Sequence, residues 1–360
     1  MTTAGSATIL GPLLGIETSC DETAAAVLDE NGQVLSNIIS SQQAVHERFG
    51  GVVPELASRA HIENIELVTA MALEKAQLGW RDVRAIAVTQ GPGLAGALLV
   101  GLSYAKATAY ALGIPLVGVS HLEGHIASAW INRPAFPRNC VVLIASGGHT
   151  HLFHAEEKGG FQLMGRTIDD AAGEAFDKGA QMLGLGYPGG PLIDAAARKG
   201  RPASVRFPRS RVRTGQLDFS FSGLKTALLY HLQGMSLEAI AQHQADLAAA
   251  YQEAIVDVLV GQSFAAVERA GVSALAVVGG VSANSRLREK LAERAAKEQI
   301  ELGLPALSFC TDNAAMIAAA GQRALLQGNV AAIDCEALPD CALPAWSGSG
   351  AVRPRTTSIS

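Results

Sequence analysis

The same order of elements occurs twice along the chain, and this repetition restricts the fold more than any other feature. Each half opens with an apolar strand, a polar turn and a second strand, and later adds a strand that runs into a glycine loop and a helix. The segments are 13–16, 17–23, 24–28 and 85–94 in the first half and 141–144, 145–150, 151–154 and 275–284 in the second. Such a repeat predicts a duplicated α/β fold of two subdomains around a ligand cleft.

The boundaries follow from this repeat. We expect an N-terminal subdomain over residues 8–130 that is completed by a late helix, 312–328. The second subdomain then covers 131–311 and contains a helical insertion at 165–270. Residues 329–360 mix Pro, Gly, Ser and charge without periodicity, which predicts a flexible tail.

Composition excludes several classes of protein. With 360 residues, 49% of them hydrophobic and 17% charged, the chain can bury a large core. Its five cysteines lack C-x-x-C spacing, and the first 14 residues lack a basic region, so a cytoplasmic protein without a membrane anchor is expected. A Gly-x-x-x-x-Gly-Lys-Ser/Thr loop is absent from the sequence, which excludes a P-loop nucleotidase.

Two histidines four residues apart form the main candidate metal site. His121 and His125 follow an apolar run, with Ser120 as the expected helix N-cap. Neighbours at this spacing share a helix face and can bind one ion. Glu123 is not adjacent to His121, as the glutamate of a His-Glu-x-x-His zinc protease would be. Ordinary surface or core histidines remain the alternative at this point.

Asp312 is the carboxylate that would complete the site. It lies between an apolar stretch and an alanine-rich helix, so it is equally suited to be a helix cap. Two histidines and one aspartate would leave coordination positions open for a substrate oxygen.

The polar turns are candidates for binding phosphate. Residues 17–23 and 145–150 offer small side chains and backbone N–H groups, and Gly279-Gly280 precedes a helix whose N-terminus favours an anion. Three such loops in this order are typical of an actin or sugar-kinase nucleotide cleft, although each alone is most often an ordinary turn.

A cluster of seven cationic residues is a candidate RNA-binding segment. No acidic residue occurs between Ala195 and Leu217, although the chain has a net charge of −5. The cluster could contact RNA phosphates, or it could be a mobile basic surface loop. Its members are Arg198, Lys199, Arg201, Arg206, Arg209, Arg211 and Arg213.

Taken together, these motifs resemble the bacterial form of the universal tRNA adenosine threonylcarbamoyltransferase family, long mislabelled as O-sialoglycoprotein endopeptidases. The resemblance covers about residues 13–328. Its signatures are GIETSCDET at 15–23, GGVVPELASRAH at 50–61, QGPGL at 90–94, HLEGH at 121–125, SGGHT at 146–150, DDAAGEAFDK at 169–178, YPGGP at 187–191, FSFSGLKT at 219–226 and GGVSAN at 279–284. The departures are small: Leu122 where methionine is common, Ile144-Ala145 where Leu-Val is frequent, and a longer C-terminal tail.

The resemblance implies the actin-like ATPase fold of sugar kinases, Hsp70 and actin. It implies transfer of a threonylcarbamoyl group from threonylcarbamoyl-AMP to N6 of adenosine 37 in tRNAs that read codons starting with A, with release of AMP. The family's metal ligands fall on His121, His125 and Asp312, which would hold one divalent ion per subunit, usually iron(II) and sometimes zinc. Its substrate positions fall on Ile144, Ala145, Ser146, Gly147, Gly148, Asp177, Gly190, Asp194 and Asn284.

The family's bacterial partners would be a catalytically inactive paralogue and a small ATPase. Asp21 and Glu22 are the candidates for the catalytic base, and Arg206, Arg209, Arg211 and Arg213 are the candidates for tRNA contact. Two other functions stay open: a metalloprotease, against which the position of Glu123 argues, and a non-enzymatic assembly subunit, which should lack a complete ligand set.

Overall fold

Two five-stranded sheets form the framework of the computed structural model, which describes residues 11–157, 160–210, 212 and 217–341. The first sheet has the order β3-β2-β1-β4-β5 and the second β10-β9-β6-β7-β8. The strands are β1 (Leu13–Glu17), β2 (Glu22–Leu28), β3 (Val34–Ser41), β4 (Ala85–Gly91), β5 (Leu116–Ser120), β6 (Cys140–Ala145), β7 (Thr150–Ala155), β8 (Phe161–Arg166), β9 (Ala274–Val278) and β10 (Glu301–Gly303).

The two sheets have the same topology, which confirms the expected duplication. In the first, β1 pairs antiparallel with β2 and parallel with β4. In the second, β6 pairs antiparallel with β7 and parallel with β9. All residues of β1, β6 and β9 are buried, because both faces of these central strands are covered, as their continuous apolar sequences require.

Ten α-helices cover the sheets within the described residues, and none of them is both long and apolar enough to cross a membrane. Four of them, α5 to α8, lie in the segment expected to be a helical insertion. The helices are α1 (Gln43–His46), α2 (Pro54–Lys75), α3 (Ala95–Leu112), α4 (His121–Ala127), α5 (Ala172–Met182), α6 (Gly189–Ala197), α7 (Ser222–Gln233), α8 (Leu237–Ala270), α9 (Ser285–Glu298) and α10 (Ala314–Leu326).

Helix α10 packs on the first sheet although it comes last in the chain. Gly15 of β1 lies against the backbone of Ala314 and the side chain of Ala318, and a Cβ at position 15 would overlap both. Gly321 contacts Ala87 of β4 in the same way. These glycines allow helix and sheet to approach closely, which fixes the start of α10 beside β1.

The prediction of a flexible tail over residues 329–360 does not hold for the first part of that segment. Residues 329–341, which we call the C-terminal strap, lie along the N-terminal subdomain. Its Ala331 N–H donates to the carbonyl of Leu116 on the edge strand β5, at 2.7 Å. Ala331, Cys335 and Ala337 pack against the core between α2, α3 and the first sheet. These small apolar residues carry no periodic signal, so their burial was not evident from sequence. Residues 342–360 lie outside the described part.

Candidate active site

A cleft of about 830 Å³ lies between loops of the two subdomains. From the N-terminal side it is lined by Ser19 to Glu22, which join β1 to β2, and by Pro92 to Leu94 after β4. From the other side, Ser146 to His149 and Asp177 line it. The cleft therefore lies at the carboxyl ends of the central strands, where open α/β sheets place their ligands.

His121 and His125 lie on the short helix α4, which follows β5 directly. Both side chains are buried, and their rings lie 4.7 Å apart between centroids. Ser120 occupies the N-cap position, as predicted, and its side chain makes no capping hydrogen bond. A Cβ at Gly124 would meet Ile317, which shows how closely α4 approaches α10.

Asp312 completes the cluster from the chain that leads into α10. One of its carboxylate oxygens lies 3.5 Å from Nε2 of His121 and 3.2 Å from Nε2 of His125. The helix cap is the next residue, Asn313, whose side chain accepts from the N–H of Met316 at 3.0 Å. Asp312 is thus free of the capping role that its sequence position also suggested, and it points towards the histidines.

The donor set fits a metal ion. The candidate ligand atoms of His121, His125 and Asp312 all lie within 4.8 Å of one another. Both ring nitrogens of His125 are buried without a hydrogen-bond partner, since the 3.2 Å contact of Nε2 with Asp312 lacks hydrogen-bond geometry. A buried nitrogen without a partner costs free energy unless a metal ion binds its lone pair.

Glu17 and Ser19 belong to the predicted polar turn but received no metal role from sequence, and both contact the ring of His121. Nδ1 lies 3.0 Å from the carboxylate of Glu17 and 3.1 Å from the hydroxyl of Ser19. Glu17 is fully buried, and it also accepts from the hydroxyl of Thr89 at 2.7 Å. A proton on Nδ1 that is donated to Glu17 leaves Nε2 as the ligand atom, and carboxylates commonly orient metal-binding histidines in this way. The signal in the sequence that could have indicated this role is a glutamate at the end of an apolar strand.

The electrostatics of the cluster favour a cation. Burial opposes the charged imidazole, but the carboxylates of Asp312 and Glu17 outweigh burial and raise the pKa of His121 to about 9. Burial also disfavours ionised Asp312, yet His121 and His125 lower the pKa of that carboxyl. A proton on His121 and a bound metal ion would each supply this positive charge, so the two compete for the site.

Glu123 does not belong to this cluster. Burial raises its pKa, against the opposing influence of a hydrogen bond with the backbone of Ser120 and the nearby charge of Arg323. It does not line the cleft. The structure therefore agrees with the sequence argument that Glu123 is not the base of a metalloprotease.

Asp21 and Glu22, the candidate bases, both line the cleft. Burial, together with the negative charges of Asp312 and Asp21, raises the pKa of Glu22 to about 10. This shift favours the protonated form of the Glu22 carboxyl at pH 7.

The predicted substrate-binding segment 144–148 has a buried part and a part that is exposed in the cleft. Ile144 and Ala145 are fully buried at the end of β6, so their side chains cannot contact a ligand in the cleft. The N–H of Ser146 already donates to the carbonyl of His149. Gly147 and Gly148 are exposed in the cleft, and within the described residues their N–H groups have no acceptor. These two amides are the available donors of the loop.

The other substrate positions lie farther along the second subdomain. Asp177 lines the cleft, accepts from the N–H of Gly189 at 2.7 Å, and adjoins Gly190, where a Cβ would meet open space. Asp194 is buried and accepts from the hydroxyl of Ser285 at 2.7 Å. Asn284 caps α9, and its amide N–H donates to the side chain of Gln252 at 2.7 Å. Asp194 and Asn284 do not line the large cleft and instead adjoin a smaller cavity of about 140 Å³, which Ser285 and Gln252 line.

The basic cluster is partly neutralised by α8, which no local sequence pattern could reveal. Arg209 pairs with Asp257 at 2.8 Å, and Arg201 pairs with Asp246 at 2.6 Å. Arg206 is exposed and forms no ion pair within the described residues. Arg211 and Arg213 lie outside the part of the chain that the structure describes.

His149 and Tyr187 also line the cleft, and neither received a role from sequence. Burial, with the neighbouring charge of His121, lowers the pKa of His149 to about 3, so its ring is neutral at pH 7. Their positions within the SGGHT and YPGGP motifs were the available signal.

The two subdomains resemble solved structures of the actin-like ATPase fold. The chain superposes on T. kodakarensis HypF with a TM-score of 0.58 at 14% identity, covering 88% of this chain and 47% of that one. It superposes on component A of the Acidaminococcus fermentans (R)-2-hydroxyglutaryl-CoA dehydratase with a TM-score of 0.50 at 17% identity, covering 87% and 98%. At these identities the likeness shows the fold alone, and it confirms the expected actin-like architecture.

Sequence comparison identifies the family. The family model described as tRNA N6-adenosine threonylcarbamoyltransferase matches residues 33–319. Relatives with that name from Clostridioides difficile (strain 630) and Anaeromyxobacter dehalogenans (strain 2CP-C) are 49% and 52% identical over 327 and 330 residues, 91% of this chain in both cases and 97% and 98% of the relatives. The chain therefore belongs to the tRNA N6-adenosine threonylcarbamoyltransferase family.

Proposed function

We propose that the chain transfers the threonylcarbamoyl group of threonylcarbamoyl-AMP to N6 of adenosine 37 in tRNAs that read codons starting with A. The observation that carries this proposal is the cluster of His121, His125 and Asp312 at the side of a cleft that is large enough for a nucleotide. The family shown by sequence comparison supplies the tRNA substrate. The donor and the role of the metal ion are our inference.

The donor is a mixed anhydride, so its carbonyl carbon is already activated. The adenine N6 amine attacks that carbon, the bond from carbon to the phosphate oxygen breaks, AMP leaves, and N6 loses one proton. Because the amine is a weak nucleophile, the protein must mainly orient the two substrates and stabilise charge on the donor.

Residues of the cleft fit these tasks. The N–H groups of Gly147 and Gly148 can donate to donor oxygens, and Asp177 with Gly190 can hold the AMP part. Asp21 lies in the cleft to accept the N6 proton. A divalent ion, iron(II) or zinc, held by His121, His125 and Asp312 would supply Lewis acidity and a template for the donor.

We propose that Asp194 and Asn284 lie beside the AMP part of the donor. They adjoin the 140 Å³ cavity, so we assign them no direct contact in the large cleft. We propose that the reaction takes place in the cytoplasm, where tRNA is found. We also propose that an inactive paralogue and a small ATPase assist it.

One experiment tests the proposal directly. The chain and its partners are incubated with threonylcarbamoyl-AMP and unmodified tRNA, and the digested RNA is analysed by mass spectrometry for threonylcarbamoyladenosine. His121→Ala should lose both bound metal and product, whereas the exposed His243→Ala should keep both. Full product formation by a metal-free His121→Ala protein would refute the proposed role of the metal ion.

A further inference from the structure

The C-terminal strap clamps the end of β4. The N–H of Leu338 donates to the carbonyl of Gln90 at 2.7 Å, and the carbonyl of Pro339 accepts from the N–H of Gly93 at 3.1 Å. The side-chain amide of Gln90 donates to the carbonyl of Glu336 at 2.8 Å. Three hydrogen bonds thus fix a segment of four residues.

The contact between strap and strand is also close. Gly91 has a φ of +155°, and a Cβ at this position would overlap the carbonyl of Leu338. Elsewhere the strap is anchored by the ammonium group of Lys106 on α3, which donates to the carbonyl of Cys335 at 2.7 Å. The strap is therefore fitted to this surface at several independent points.

The clamped end of β4 holds the residues that orient His121. Thr89, next to Gln90, donates to Glu17, and the N–H of Leu94 donates to the carbonyl of Ser19 at 2.8 Å. Glu17 and Ser19 are the two partners of Nδ1 of His121. Hydrogen bonds and the intervening backbone of residues 89–94 thus connect the strap to the ring of His121.

We propose that the C-terminal strap is a positioning element of the metal centre. It fixes residues 89–94, these fix Glu17 and Ser19, and the orientation of His121 follows. The inference rests on the metal role in the proposed function. Strap residues do not line the cleft, so an effect of the strap on metal affinity has to pass through its contacts with β4, with α3 or, by the bond from Ala331 to Leu116, with β5. The substitutions at Leu338 test the contact with β4.

Two substitutions at Leu338 in the full-length chain separate the effect of its backbone hydrogen bond from the effect of its side chain. Leu338→Pro removes the N–H that donates to Gln90, whereas Leu338→Ala keeps it and shortens a side chain that is 45% exposed. Metal affinity is measured by zinc competition with a chelator and by the absorption spectrum of bound cobalt(II). We expect Leu338→Pro to bind metal at least fivefold more weakly with an altered cobalt spectrum, and Leu338→Ala to stay within twofold of the unchanged protein.

A second pair tests the anchor at Lys106. Lys106→Met should weaken metal binding, as Leu338→Pro does. Lys106→Arg, which can still donate to Cys335, should keep the metal affinity of the unchanged protein. Leu232→Ala, on α7 in the other subdomain, serves as a control of lowered stability that should keep metal affinity.

The outcomes are distinct. Unchanged affinity and spectrum in Leu338→Pro and Lys106→Met would overturn the proposal, and so would an equal loss in Leu232→Ala, because the effect would then be one of general stability. If Leu338→Pro fails to fold, the Lys106 pair decides. Full metal binding by His121→Ala would instead contradict the proposed metal site itself.

Discussion

At the scale of single residues, a buried carboxylate that is not among the three candidate ligands lies behind the candidate metal site. Glu17 accepts from Thr89 and lies at hydrogen-bond distance from His121, and it is fully buried. Burial raises the pKa of its carboxyl, but His121 outweighs burial, so the pKa of Glu17 is lowered and the group stays ionised. An ionised acceptor fixes the position of the proton on the imidazole.

Glu17→Gln should therefore weaken metal binding without removing a ligand. We expect a 10- to 100-fold loss of zinc affinity, roughly the usual effect of removing such an orienting partner. The measurement is chelator competition, with Glu253→Gln, a carboxylate in the separate cluster with Arg286 and Lys290, as control. Unchanged affinity in Glu17→Gln would show that the ring of His121 is oriented by other contacts.

A second residue-scale prediction concerns pH. Burial, with the nearby charge of Arg166, lowers the pKa of His151 to about 4, whereas an unfolded histidine titrates near ~6.5. Between these values the unfolded chain binds the proton and the folded chain does not, so the contribution of His151 to stability falls as the pH decreases from 6.5 to 4. His151→Gln should lose stability less steeply over this range in thermal unfolding. Parallel pH profiles would contradict the prediction.

At the scale of elements, the position of Asp312 is set by how α10 packs on the first sheet. Gly15 and Gly321 make that packing close, and Asn313 begins the helix. Sequence predicted a helix over 312–328, and the structure has it at Ala314–Leu326. Periodicity located the helix, whereas its distance from the sheet depends on contacts between residues that are about 300 positions apart in the chain.

Gly15→Ala should push α10 away from β1, because the new Cβ would overlap Ala314 and Ala318. We expect a loss of about 1–3 kcal/mol in the free energy of unfolding in urea, typical of an overpacked core. Metal affinity should fall as well, since Asp312 moves with the helix. Gly261→Ala, inside α8 with open space around it, should instead be neutral or add up to ~1 kcal/mol. Equal stability of the two variants would argue against the close packing.

At the scale of the whole molecule, the surface charge of the second subdomain is less positive than the local sequence of its basic cluster suggests. Seven cationic residues in a stretch without an acid suggested an RNA-binding segment or a mobile basic loop. In the structure α8 supplies Asp246 and Asp257 as partners of Arg201 and Arg209. These exposed pairs add little to stability, but they reduce the charge available to phosphate.

Arg206→Gln should therefore weaken tRNA binding more than Arg209→Gln. We expect the slope of log affinity against log salt to become shallower by about 1 for Arg206→Gln, since one phosphate contact is lost. The measurement is tRNA binding over a series of salt concentrations. A slope equal to that of the unchanged protein would remove Arg206 from the RNA-binding surface.

The sequence by itself determined the repeat of strand, turn and strand, the helical histidine pair and the order of the glycine loops, because hydrophobic periodicity and turn chemistry act over a few residues. It also pointed to Asp312 as a ligand, but left open that the residue was a cap. Tertiary structure decided the rest. It placed Glu17 behind His121, paired Arg209 with α8 and laid residues 329–341 along the first sheet. Those features depend on contacts between segments that are far apart in the chain, where no local pattern records the partner.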